Sequence, residues 1–181
     1  MGPLLLALAS APIAIQLSAP KATYASGEEV IFRALVKNNT KETIEMVAER
    51  DGMNWGRKAP FCVLEAKQAN GTWDPLLMKG VGRCGNANPL QASDFVEIEK
   101  GKSGDILQGM PWSKYEVKEC LRKPGTYTIR LRYDSTPVFE AWLGGPLMPD
   151  KEAEQKMNLK SHYDKTPKGV FLSNEVTIKI Q

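Results

Sequence analysis

Apolar and polar residues alternate with period two along much of this chain. Ile13, Ile15 and Leu17 alternate with Ala14 and Gln16, and after Ser26-Gly27 the run 29–37 is strand-like and stops at Asn38-Asn39. Ile44, Met46 and Ala48 alternate with Glu45, Val47 and Glu49. Cys62, Leu64 and Ala66 alternate with Val63, Glu65 and Lys67; Asn70-Gly71 then predicts a turn, with 72–78 as the return strand of a hairpin. Segments 95–99 and 103–107 carry a weaker version of the pattern. Tyr127, Ile129, Leu131 and Tyr133 fall on one face of a segment whose other face is Thr128, Arg130 and Arg132, a basic face expected to be solvated. Val176, Ile178 and Ile180 alternate with Thr177, Lys179 and Gln181 at the C-terminus. Successive strand side chains point to opposite faces, so this alternation predicts antiparallel strands with one face buried. About eight or nine such strands, separated by Gly, Pro, Asn and Asp clusters, predict an all-β antiparallel sandwich.

One helix is expected. Pro149 suits a first helical turn, and 150–159 is rich in helix formers and charge, as on a solvated surface helix. It lies in an insertion at about 136–168, before the last strand. Long insertions between strands tend to be functional loops or ordered lids.

The chain has 181 residues, which suits a single domain over 12–181, preceded by an apolar segment at 1–11. That segment, Leu4–Ala9 followed by Ala9-Ser10-Ala11, has two readings. It is the remnant of a secretory signal, or an apolar stretch that packs on the domain or a partner. It is shorter than the ~20 residues of a membrane span, and the expected setting is extracytoplasmic, periplasmic or secreted. Lys and Arg total 24 against 21 Asp and Glu, a net charge of +3 that is too weak and too dispersed to indicate nucleic acid. A monomer or weak oligomer is expected. The three cysteines, Cys62, Cys84 and Cys120, leave at least one outside any intramolecular disulfide. Cys62–Cys84 is the preferred pair, closing a loop across the hairpin; pairs with Cys120 stay open, as does a fully reduced set. Asn38-Asn39-Thr40 and Asn70-Gly71-Thr72 are glycosylation sequons.

Lys123-Pro124-Gly125-Thr126-Tyr127-Thr128-Ile129-Arg130 resembles the turn into the penultimate strand of immunoglobulin-like and fibronectin type III-like domains. In those domains a corner tyrosine bonds back to the chain. Ser26-Gly27-Glu28-Glu29-Val30, leading to Val36-Lys37-Asn38-Asn39-Thr40, and Ser173-Asn174-Glu175-Val176-Thr177-Ile178 resemble bacterial extracytoplasmic members. The resemblance implies a Greek-key, immunoglobulin-like β-sandwich. Ile129 stands where an antibody domain has cysteine, so the antibody pattern itself is absent. The arrangement is also weakly similar to the non-catalytic sandwich of deuterolysin-like peptidases and to the intracellular proteinase inhibitor family. The peptidase zinc motif is missing, so no activity carries over.

A single histidine, His162, excludes two-histidine metal motifs. Neither a metal site nor a cofactor is expected. Tryptophans in Gly/Pro-rich loops supply rigid contact area with a polar N–H. Trp55, Trp112 and Trp142, with Phe139 in the apolar stretch 138–143, are therefore the binding candidates; alternatively the rings seal the ends of the sandwich. The expected function is a non-catalytic exported binding or accessory module that recognises a protein or glycan through end loops and the insertion. One alternative is a peptidase inhibitor presenting an exposed loop. Another is a thiol enzyme, with Cys120 activated by Arg122 and Lys123 and paired with His162, which is otherwise expected as a solvent-facing loop residue.

Overall fold

A computed structural model describes residues 11–48, 56–78, 90–110, 114–143 and 152–181. Their order is β1 (Ile13–Ser18), β2 (Thr23–Tyr24), β3 (Arg33–Asn38), β4 (Ile44–Val47), β5 (Phe61–Lys67) and β6 (Trp73–Pro75). A single 3-10 turn (Ala92–Asp94) leads into β7 (Phe95–Ile98) and β8 (Ser103–Asp105). Then come α1 (Lys114–Cys120), β9 (Gly125–Asp134), α2 (Phe139–Trp142), α3 (Glu152–Lys165), β10 (Val170–Leu172) and β11 (Val176–Ile180). The chain is mostly β, with few helices, as the alternation predicts.

The strands form three sheets. One runs β1-β3-β8; the second runs β2-β11-β9-β5-β6, with β10 also on β9; the third is the ribbon β4-β7. The pairings are antiparallel except β2 on β11. The predicted hairpin is present, with Lys67 opposite Trp73, and Gly71 at φ 85° supplies the left-handed turn residue that only glycine adopts readily. In β9, the N-terminal half pairs with β11 and the C-terminal half with β10, so one strand serves two neighbours on the same side. Asn174 fastens the first sheet to the second, accepting from Leu17 N–H at 2.8 Å and donating to Leu17 C=O at 3.1 Å.

Period two becomes burial directly. In β1 and β3 every second residue is buried, and Ile13, Ile15, Leu17, Ala34 and Val36 join Leu64, Ile129, Leu131 and Ile178 in one apolar core. Gly104 marks a close approach, because a Cβ there would sit 2.9 Å from both Ile98 and Val96. Tyr127 Oη donates to Lys123 C=O at 2.8 Å, bracing the turn into β9.

Four expectations change. The helix of the insertion begins at Glu152 and runs to Lys165, six residues past the predicted stop. Elements β2, β10 and α1 carry no strong pattern and are not predicted by it. Arg130 and Arg132 are not a freely solvated face: Arg130 bonds Glu65 at 2.8 Å and stacks 4.0 Å over the Trp73 ring, while Arg132 pairs with Asp134 at 2.6 Å. The Asn38 amide is fully buried and donates to Glu42 C=O and Ile98 C=O, so the folded chain offers no glycan acceptor there; Asn70 is exposed.

Candidate functional site

Strand β4 is buried on both faces, against the one-sided burial its alternation predicts. Ile44 and Met46 enter the main core, while Glu45 and Val47 face outward and are covered by the insertion. Helix α3 lies over this face. Glu45, only 4% exposed, receives Lys165 Nζ at 2.9 Å on one carboxylate oxygen and His162 Nδ1 on the other. Burial alone raises the Glu45 carboxyl, but the hydrogen bonds from Lys165 and His162, and the positive charge they bring, hold it below the usual range. The ring of His162 stacks on Phe95 with centroids 4.6 Å apart. His162 is therefore a half-buried helix residue clamped to a strand, not a solvent-facing loop residue.

A second apolar cluster supports the helix. It contains Val47, Ala59, Leu90, Leu159 and the fully buried Trp142, with Phe139 and Tyr163 partly buried beside it. Trp142 donates its indole N–H to Pro137 C=O at 3.2 Å and meets Tyr163 edge-on at 4.9 Å. Lys168 Nζ lies 3.5 Å from the Tyr163 ring centroid, and burial pulls this lysine down to about 8. Trp142 is thus a packing residue that pins the insertion, which corrects its assignment as a binding side chain. Its indole is too deeply enclosed to meet a partner. Phe139 is half-buried against the same cluster. Trp55 and Trp112 lie outside the described residues.

Between α3 and the corner at 90–92 is a cavity of about 480 Å³. Leu90, Ala92 and Leu159 give it an apolar floor, and Gln91, Gln155, Asn158, Ser161 and His162 give it polar walls. Positions 155, 158, 159 and 162 share one helix face by the i, i+3, i+4, i+7 rule. No carboxylate or ammonium from the described residues lines it. Gln155 Oε1 is buried in the structure without a hydrogen-bond partner. Such a group costs about 1–3 kcal/mol if left unmet. Because the ionised Glu45 only accepts, it takes the Nδ1 proton of His162, leaving Nε2 as the ring's remaining polar atom. Clamp and cavity together form a polar-walled groove between α3 and the 90–92 corner.

No protein-family model matches this chain, and no curated protein matches it either.

A second concavity runs between the β5–β6 hairpin and α1, lined by Leu76, Leu77, Tyr127, Glu119 and Cys120 among others. Arg57 closes it with a two-pronged ion pair to Glu116, at 2.7 and 2.9 Å. Burial, then the negative charge of Glu116, pushes the Cys120 thiol above its ordinary value despite Arg57. This is the reverse of the activation expected from Arg122 and Lys123. Cys120 lines this groove while His162 lines the other, and the two have no common partner among the described contacts. Cys62 is buried in β5 opposite Tyr133. Cys84, its expected disulfide partner, lies outside the described residues, and no disulfide joins the described ones.

Among the described residues there is no cluster of potential metal ligands, and no described helix is long and apolar enough to cross a membrane. The groove is not visible in the sequence. Its signal is the spacing of Gln155, Asn158, Leu159 and His162, which the general polarity of the segment masks.

Proposed function

We propose that this chain is a non-catalytic, exported binding module that recognises a protein or glycan through the groove between α3 and the 90–92 corner. Its scaffold is a Greek-key, immunoglobulin-like sandwich. Two features support that scaffold. The order β1-β3-β8 is compatible with the A-B-E order of such a fold, and β5-β9-β11 with its C-F-G order. The Tyr127 hydroxyl bonds back to Lys123 at the corner where such folds carry their tyrosine. Export is supported by the signal-like run at 4–11.

The observation that carries the functional reading is a preformed cavity walled by the hydrogen-bonding side chains of Gln91, Gln155, Asn158, Ser161 and His162 over an apolar floor. Cavities of ~300–1,000 Å³ with a few converging polar groups are the usual form of a ligand site. On this reading the insertion does two things at once, sealing β4 and displaying the groove.

The experiment compares the intact protein with its Asn158→Arg variant on glycan and peptide arrays. Asn158 is exposed and supports no core contact, so the variant folds, as a circular dichroism melt verifies. The reading expects ligands retained by the parent protein and lost by the variant. Equal binding by both proteins, or no ligand for either, overturns it.

A further inference from the structure

We infer that the groove on α3 takes an extended, uncharged stretch of polypeptide, with the carboxamides of Gln155 and Asn158 pairing with its backbone. This rests on the proposed binding role of the groove and names its ligand.

The chemistry of the wall selects the ligand. Gln91, Gln155 and Asn158 are all carboxamides, each with an acceptor and two donors. A peptide unit carries one donor and one acceptor, the complement of a carboxamide edge. The described lining carries no carboxylate or ammonium, and its one group able to carry charge, His162, is paired with Glu45, so the wall gives little hold to a phosphate, a carboxylate or a cation. Asn158 is exposed, so its carboxamide offers both donor and acceptor to a peptide laid along the helix. Glu45, bonded to His162 of the wall, is also paired with Lys165 at 2.9 Å.

Length agrees. Gln155 and His162 are seven positions apart on α3, about 10.5 Å along the axis at 1.5 Å per residue. Three residues of extended peptide, at about 3.3 Å each, cover the same distance. The floor of Leu90, Ala92 and Leu159 then receives the side chains on one side of the strand. A sugar ring would instead be expected to lie on an aromatic face. No phenyl, phenol or indole ring of the described residues lines this cavity, and the His162 ring is stacked on Phe95.

The test selects a phage-displayed random heptapeptide library on the intact protein. Selected sequences are then measured by titration calorimetry against the parent and against Gln155→Ala/Asn158→Ala, both substitutions being favourable to a helix. Side-chain amide signals of Gln155 and Asn158 are followed by NMR during the titration. The expected result is enrichment of peptides with uncharged central residues, at least tenfold weaker binding by the double variant, and shifted carboxamide signals on peptide addition. Peptides that bind both proteins equally, or leave those signals unmoved, overturn the inference. A glycan array run in parallel separates the two levels. Glycans retained by the parent and lost by the double variant, with no peptide selected, overturn the peptide assignment and leave the groove's binding role standing. Silence of both libraries overturns both.

Discussion

Trp142→Ala removes the largest fully buried side chain among the described residues and tests what holds the insertion in place. An indole covers ~150–250 Å², which at about 25 cal/mol per Å² corresponds to about 4–6 kcal/mol of burial. Core truncations of this size cost about 3–5 kcal/mol once partial collapse is included, so about 4 kcal/mol is expected. The loss falls unevenly. Trp142 belongs to the cluster with Val47, Leu90 and Leu159, not to the core between the large sheets. Opening of α3 is therefore the event made easier. At 1.4 kcal/mol per decade, hydrogen exchange of α3 amides such as Leu159 accelerates about a thousandfold, or until it reaches the unprotected rate. Exchange at Leu131, in the middle of β9, changes far less. Trp142→Phe retains most of the ring and loses the bond to Pro137, so it costs about 1 kcal/mol. Native-state exchange read by mass spectrometry or NMR measures all three. Unchanged α3 protection in Trp142→Ala would refute the reasoning, since the indole could not then be what fastens the helix. Equal acceleration in α3 and β9 would refute it differently, by making the insertion inseparable from the sheets.

Three further expectations follow from buried polar groups. Tyr133 is fully buried and its hydroxyl accepts the Val47 N–H at 3.0 Å, so Tyr133→Phe strands a buried donor and costs about 1–3 kcal/mol by urea denaturation; a loss below about 0.3 kcal/mol would contradict the assignment. Glu45 and Asp134 hold folded-state values below their ordinary ones: burial raises each, but Lys165 and His162, and Thr136 and Arg132 respectively, outweigh it. Their contribution is whole above the unfolded carboxylate range near ~4 and is lost as pH falls through the lower folded values. Urea midpoints should therefore fall below about pH 4, and less steeply in Glu45→Gln; an unchanged acid slope would contradict this. Cys120, raised by burial and then by Glu116, should react slowly with iodoacetamide at about pH 7, and faster in Glu116→Gln; no acceleration would exclude Glu116 as a cause.

The β-rich class was legible because burial on one face of a strand leaves its period in the sequence. β1, β3, β9 and β11 show this, each alternating with few exceptions. β2 and β10 were not legible, because two or three residues cannot express a period. Helix α1 is two turns long, and its start signal, the Ser113-Lys114-Tyr115-Glu116 pattern, precedes too short a segment to show helical periodicity. The candidate site was hidden for another reason. Glu45 occupies a polar position of an alternating segment, and its burial is imposed by a helix far along the chain. Likewise a charged helix with a single buried residue, Leu159, gives no periodic hint of the face it applies to β4. Trp142 sits in an apolar run flanked by Gly and Pro, where a ring that binds and a ring that packs have the same local sequence.

The clamp between Glu45 and His162 also has a consequence for how the chain is made. The two residues are 117 positions apart. Elongation at ~5–20 residues per second separates their emergence from the ribosome by roughly 6–23 s. Throughout that interval the outer side of β4 has been synthesised and its cover has not, and once β7 has paired with β4, Val47 and a lone carboxylate lie on an open ribbon. The nascent protein is then most open to wrong association, and the last third of the message, by bringing α3, ends the exposure.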